Sequence, residues 1–316
     1  MELSRREWLT TVPVALGAGL TGAALNPVSA AEPTTSPDEP FGYCLNTSTI
    51  QGQKLALVDV VETAAKAGYQ GIEPWIRELD QHVKDGHSLK DLGKRIRDLG
   101  LSVESAIGFF DWIVDDEARR KKAFEEARRN MEMVRQIGGK RLAAPPMGAT
   151  DRGGLDPRRV AERYRSLLEL GEQFNVVPEV EVWGSSKSLG RLGEAVQVAV
   201  DCGHRSACVL PDVFHLYKGG SSFAGVKLLG PFAIGVFHFN DYPATPPRET
   251  ITDAQRVYPG DGVAPLSDLL RDLRAIGYRG MLSLELFNRD YWKQDALAVA
   301  RTGLEKMRAV VKSSLA

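Results

Sequence analysis

The sequence predicts a single α/β domain, a (β/α)8 barrel, and three observations predict it. Short apolar runs alternate with longer helical patterns from Phe41 to the C-terminus. Glycine punctuates the ends of the helical stretches, and polar residues fall at the C-terminal ends of the apolar runs rather than at their starts. No short-period repeat or low-complexity tract competes with this reading.

Phe41 to Asn46 reads as the first strand, followed by a helix through Leu55–Val61 that stops at Gly68. Gly71 to Trp75 is the second strand, with a helix from about Ser88 to Leu99 ending at Gly100. Leu101 to Ala106 is the third, with a highly charged helix from Glu117 to Ile137 ending at Gly138. Glycine suits these ends because the residue after a helix favours positive φ. Arg141 to Pro145 makes the fourth strand, and Asp156-Pro157 opens the next helix, to Phe174, as N-cap and first-turn proline. Val176–Trp183 and Ala207–Pro211 are the fifth and sixth strands, separated by a helix ending near Val200. Ile234–Phe239 and Met281–Phe287 are the seventh and eighth, with a helix from Pro265 to Ile276 between them and a last helix from Tyr291 to Val311.

Length and charge bound the function. The chain has 316 residues, 43% of them hydrophobic, enough for one large core. With 40 basic and 41 acidic side chains the formal net charge is -1, so nothing steers a polyanion to it and a nucleic-acid partner is not expected. Cys44, Cys202 and Cys208 lack CxxC spacing and read as small buried side chains.

The N-terminus reads as an address. Arg5-Arg6, an uncharged apolar run from Val12 to Leu25, and Val28-Ser29-Ala30 fall in the order of a twin-arginine signal, residues 1–30. Residues 31–40 form a linker and 41–316 the barrel. The expectation is export to the periplasm or cell envelope, with no stable membrane insertion once the signal is removed; nothing in the sequence excludes a homo-oligomer.

Two strand exits organise the chemistry: Asp212 in Pro-Asp-Val-Phe-His (211–215) and His238 in Val-Phe-His-Phe-Asn-Asp (236–241). Glu181 and Glu285 end two further apolar runs. If these four converge, three carboxylates and one imidazole surround a point, a donor set that suits Mn²⁺, with Mg²⁺, Co²⁺ or Zn²⁺ as alternatives. A cation holding two adjacent oxygens of a hydroxy-ketone acidifies the carbon between them and stabilises an enediolate, while flanking carboxylates remove and return the proton. His215 would reach a substrate hydroxyl or an open metal position. Glu73, Trp75, Trp183, Lys187 and Arg256 are candidates for holding hydroxyls and sugar faces. Glu104 reads as a cap or ion-pair partner, and His82, His87 and His204 as surface residues.

Together Glu-Val-Trp at 181–183, Asp-Val-Phe-His at 212–215, His-Phe-Asn-Asp at 238–241, Tyr-Pro-Gly-Asp-Gly at 258–262 and Leu-Glu-Leu-Phe-Asn at 284–288 resemble the xylose isomerase-like sugar phosphate isomerase/epimerase family, a family of TIM barrels. The resemblance implies one divalent metal on Glu181, Asp212, His238 and Glu285. In the ketose 3-epimerases and inosose isomerases of that family the two glutamates exchange the proton and the histidine matching His215 contacts substrate. Many members carry an arginine shortly after the His-x-x-Asp motif; here Tyr242-Pro243 follows, and Arg248 or Arg256 would have to serve. The leading expectation is an isomerase or epimerase of a ketose or keto-inositol. A lyase or dehydratase acting on a 3-keto-glycoside or inosose uses the same ligands, and a non-catalytic sugar-binding protein or an endonuclease on the same barrel ranks below both.

Overall fold

A computed structural model describes residues 39–316; the expected twin-arginine leader and most of the expected linker lie outside them. Among the described residues no helix is long and apolar enough to cross a membrane.

Eight parallel strands form the centre: β1 (Gly42–Asn46), β2 (Gly71–Glu73), β3 (Ser102–Val103), β4 (Arg141–Ala144), β5 (Val177–Glu181), β6 (Val209–Leu210), β7 (Phe237–His238) and β8 (Met281–Leu284). Regular ladders join them as β3-β2-β1-β8-β7 and β4-β5-β6. Single bridges Val209–Ile234 and Asp212–His238 connect the two groups on one side. On the other, Ala143 N–H donates to Ala106 O at 2.9 Å. The ring therefore closes in chain order, as the alternation of elements predicts.

The helices are α1 (Leu57–Ala67), α2 (Ile76–Lys84), α3 (Leu89–Asp98), α4 (Glu117–Gln136), α5 (Pro157–Glu172), α6 (Leu192–Asp201), α7 (Val213–Lys218), α8 (Leu266–Ala275) and α9 (Ala296–Leu315). Asp156 caps α5 and Pro157 opens it; Gly68, Gly100 and Gly138 all take positive φ. Two helices were not expected. Helix α2 follows β2 after only Pro74 and Trp75 and buries just Ile76, Leu79 and His82, so its apolar stripe is thin. Helix α7 has six residues and shares its first turn with the Asp212 motif. The presence of α2 corrects the reading of His82: it is buried, its ring 4.9 Å from that of His87.

Strand side chains split by the two-residue period. Tyr43, Leu45, Ile72, Leu142, Val180, Phe237, Leu282 and Leu284 face the helices in one apolar core. The alternate set, turned inward, is largely small or polar: Cys44, Asn46, Gly71, Glu73, Arg141, Ala143, Glu179, Glu181, His238, Ser283 and Glu285. A strand buried on one face by helices and on the other by charge cannot slip register, since one residue's shift would bury these carboxylates in the apolar shell.

Below the strand ends, Glu179 accepts Val236 N–H at 3.0 Å. Burial pushes its carboxyl up to about 7, against the pull of Arg141. Glu104 pairs with Lys140 and Arg141 at 3.7 and 3.8 Å, the structural role read for it in the sequence. A carboxyl raised in the fold contributes stability that is complete below its unfolded value, near 4.5, and is lost as pH rises through about 7. Between those limits Glu179 should therefore remove roughly 3 kcal/mol of stability. Denaturant unfolding across that pH range should show a flatter profile in Glu179→Gln than in the wild type; identical profiles would exclude Glu179 as the titrating group.

Candidate active site

The C-terminal mouth of the barrel gathers the polar strand ends. Asp212 caps α7, with Oδ1 accepting His215 N–H at 2.9 Å, so the turn out of β6 fixes the carboxylate. Its Oδ2 accepts Asn240 Nδ2 at 3.1 Å and Arg256 Nη1 at 2.6 Å. Glu285, two residues beyond inward-facing Ser283, accepts Arg256 Nη1 at 2.9 Å and Asn46 Nδ2 at 3.3 Å. His238 lies between them: Nδ1 faces Glu285 Oε2 at 3.1 Å and Asp212 Oδ2 at 3.5 Å, but is aligned for a hydrogen bond with neither.

The other ring nitrogen of His238 is fixed from below. Nε2 lies 3.0 Å from Glu73 Oε2, and Glu73 also accepts Ser283 Oγ at 2.7 Å and Asn46 Nδ2 at 2.9 Å. Glu73 is thus placed as the support of an imidazole, not at an open surface. Burial opposes its charge, but His238, Ser283 and Asn46 hold it below the usual carboxylate range. Burial likewise opposes protonation of His238, and the carboxylates Glu285 and Glu73 outweigh it, holding the ring well above its ordinary range.

One carboxylate stands apart. Glu181 is 3% exposed, and its Oε2 has no hydrogen-bond partner. Burial pushes it up to about 8, Glu285 and Asp212 add to the rise, and His238 opposes it. Asp212, by contrast, is held well below the carboxylate range, because Arg256, helped by His238, overcomes the cost of burial.

Asp212, His238 and Glu285 offer donor atoms within 4.8 Å of one another; Glu181 is close enough to be perturbed by all three. The misaligned His238 Nδ1 and the unpartnered Glu181 Oε2 are buried atoms that lack a partner of their own, and with two carboxylates they make an oxygen-rich set that fits a divalent cation.

Arg256 arrives on the long connection between β7 and α8. Nη1 serves Asp212 and Glu285, Nε and Nη2 serve Asp253 at 3.0 and 2.6 Å, and Nη2 lies 3.2 Å from His215 Nε2. All five guanidinium N–H groups have an acceptor, with the group packed over Phe214 and Phe287. Since the guanidinium can only donate, His215 Nε2 accepts this hydrogen bond and the ring's own proton lies on Nδ1, a buried donor without a partner. Burial holds this ring neutral.

Aromatic rings border the cluster. Phe287, Trp75, Phe109 and Trp183 follow one another at centroid separations of 5.9, 5.3 and 5.9 Å, and Trp183 lies 6.4 Å from His215. Trp75 is pinned by Nε1 donating to Asn46 Oδ1 at 2.9 Å. Lys187 is not brought to this group; it is exposed and borders a separate cavity beside α5 and α6. Phe109, Phe287, Asn240 and Ser283 were not singled out in the sequence, although the two-residue period from Glu285 points to Ser283.

The connection that carries Arg256 is itself anchored. Asp241 accepts the N–H groups of Gly260 and Gly262 on Oδ2 and of Ala264 and Tyr242 on Oδ1, at 2.8 to 3.1 Å. The Tyr-Pro-Gly-Asp-Gly run is the loop this carboxylate holds, and a Cβ at Gly262 would stand 2.3 Å from Asp241 Oδ1. Asp241→Ala should cost about 3 kcal/mol, since it leaves four backbone N–H groups unpaired, one of them, that of Tyr242, buried, and Asp241→Asn should cost less. Equal unfolding midpoints for wild type and Asp241→Ala would show that the loop does not depend on this carboxylate.

A family model described as xylose isomerase-like TIM barrel matches residues 61–310. Inosose isomerase of Bacillus velezensis (strain DSM 23117 / BGSC 10A6 / LMG 26770 / FZB42) is 29% identical over 280 residues, which span 85% of this chain and 96% of that protein. 3-Dehydroshikimate dehydratase of Pseudomonas aeruginosa (strain ATCC 15692 / DSM 22644 / CIP 104116 / JCM 14847 / LMG 12228 / 1C / PRS 101 / PAO1) is 25% identical over 255 residues, 79% of this chain and 39% of that one. Among solved structures, IOLI protein with a binding zinc atom superposes with a TM-score of 0.79 at 23% identity, covering 87% of this chain and 99% of that chain.

Proposed function

The chain belongs to the xylose isomerase-like TIM barrel family, and on that premise we propose that it is a divalent-metal-dependent isomerase or epimerase of a ketose or keto-cyclitol. The observation that carries the reading is the unpartnered Glu181 Oε2 beside Asp212, His238 and Glu285. The curated inosose isomerase relative supports the substrate class.

Glu181, Asp212, His238 and Glu285 would hold the ion, which we assign as Mn²⁺ from three oxygens and one nitrogen. An ion held there would supply Lewis-acid chemistry, drawing charge from a substrate carbonyl so that the neighbouring C–H becomes more acidic. Glu181 would take that proton on the carboxylate oxygen it does not give to the ion. Glu285, on the other side of the cluster and oriented by Arg256 and Asn46, returns one to the adjacent position or to the opposite face. His215 Nδ1 donates to a substrate hydroxyl, and the aromatic border receives the C–H face of the ring.

Loss of hydroxide after the same proton abstraction would make the enzyme a dehydratase, a reading favoured by the 3-dehydroshikimate dehydratase relative. Proton NMR in D2O with ketoses, inososes and 3-keto-glucosides separates the two: deuterium at one carbon of an unbroken sugar marks isomerisation, and release of water or of an aglycone marks elimination. With Glu181→Gln the exchange should fall at least 100-fold; a retained rate would remove Glu181 as the base. Chelation should abolish exchange and Mn²⁺ restore it. Glu73→Gln should weaken metal binding about 10- to 100-fold by calorimetry, because Glu73 orients His238; unchanged affinity would limit Glu73 to packing.

A further inference from the structure

Behind the aromatic border lies a second cavity of about 160 Å³, between α2, α4 and the segment after β3, lined by Trp75, Ile76, Arg77, Asp80, Gly108 and Phe109, with Asn130 at its edge. Asn130 stands on α4, 1% exposed, and neither its side-chain nitrogen nor its oxygen has a partner. A buried carboxamide with both ends unsatisfied is rare, because the donor and the acceptor have each given up water for nothing in return. Gly108 packs closely beside it: a Cβ there would sit 3.3 Å from Asn130 Nδ2 and nearer still to Leu142 and Ile76.

The carboxylates around the cavity are paired. Arg129 bonds both Asp80 oxygens, at 2.5 and 3.1 Å, and Glu126 at 2.6 Å. Arg77 has no carboxylate partner among the described residues; it is exposed, stacks on the Trp75 ring at 3.8 Å and donates to Gln51, so its charge is left to solvent rather than to the cavity. What remains for a guest is a carboxamide that can donate and accept, beside the rings of Trp75 and Phe109. That combination recognises an uncharged, hydroxylated fragment with a C–H face. At about 30 Å³ per water molecule the volume suits a piece of two or three carbons rather than a whole sugar. Trp75 ties the cavity to the catalytic cluster, since its Nε1 bonds Asn46, which in turn bonds Glu73 and Glu285. Phe109, 40% exposed, stands at the entrance.

We propose that this cavity is a subsite for a neutral hydroxylated substituent of the substrate, held by Asn130 and stacked on Trp75 and Phe109. The assignment rests on the proposed function for its link to turnover, but not for binding, so two measurements separate them. Titration with glycerol, followed through the ¹⁵N side-chain amide of Asn130 and identified by its loss in Asn130→Leu, should shift that resonance saturably without any turnover. Then, for ketones with and without a hydroxyalkyl or glycosyl substituent, Asn130→Leu should raise KM for the substituted compound at least tenfold relative to the unsubstituted one. Gly108→Ala, which narrows the cavity and leaves Asn130 in place, should move the ratio in the same direction. No amide shift with glycerol overturns the subsite. A shift with no change in the KM ratio overturns its assignment to the substrate and leaves a site for free polyol. If no ketone turns over at all, the proposed function fails while the titration still decides whether the cavity binds.

Discussion

Four carboxylates, Glu73, Glu181, Asp212 and Glu285, point into one dry end of the barrel, each 3% exposed or less, and the rest of the site answers that concentration of charge. Like charges a few ångströms apart in a poorly polarisable interior cannot all persist unaided. The protein supplies one permanent cation, Arg256, on Asp212 and Glu285. Protons absorb part of the remainder: His238 is held well above its ordinary range, and Glu181 is pushed up to about 8. Both shifts say that the cluster has room for more positive charge. A divalent cation is the carrier of that charge that also does chemistry, and so the donor set and the electrostatics favour the same proposal.

That demand explains the loops. Arg256 has to reach the barrel mouth from a connection some twenty residues beyond β7, and a free loop would not hold a guanidinium against burial. Asp241, at the exit of the same strand, gathers four backbone N–H groups from the loop's far side and from its own successor. Asp253 takes two of the arginine's donors and Asn288 bonds its carbonyl. Two motifs far apart in the sequence, His-Phe-Asn-Asp and Tyr-Pro-Gly-Asp-Gly, are thus two halves of one support for a single cation.

The strand ends were legible because an inward carboxylate interrupts an apolar run at a fixed parity, a signal that survives without any knowledge of neighbours. Four strand ends in a ring then place Glu181, Asp212, His238 and Glu285 at one mouth. The use of Arg256 was not legible: it lies 44 residues from Asp212, and only the folded loop shows that its donors serve the carboxylates. Glu73 looked like a surface for hydroxyls because its strand end resembles the others; what distinguishes it is Ser283 and Asn46 on neighbouring strands. Strands β6 and β7 were expected longer than two residues, since apolar runs mark burial, whereas the regular ladder stops where single bridges take over. Asn130 hides in a helix whose composition reads as solvated charge, and nothing local reveals that it faces inward.

The two glutamates of the cluster are not equivalent, and the difference bears on direction of proton flow. Glu285 is oriented by Arg256 and Asn46, each bonded to a different carboxylate oxygen. Glu181 has the freer oxygen and the raised affinity for a proton. A carboxyl near neutrality can both take and release a proton during a cycle, whereas one whose two oxygens are both occupied by donors has to give up a hydrogen bond before it can take one. In the proposed reaction Glu181 is therefore the less encumbered base toward a C–H, and the return step would depend on how far Arg256 relaxes its hold on Glu285. If it holds, the proton comes back from Glu181 on the same face, as a shift of the carbonyl to the neighbouring carbon requires. If it yields, delivery from the other side inverts the carbon. On the proposed reaction, isomerase and epimerase outcomes would then differ not in their ligands but in the grip of one arginine.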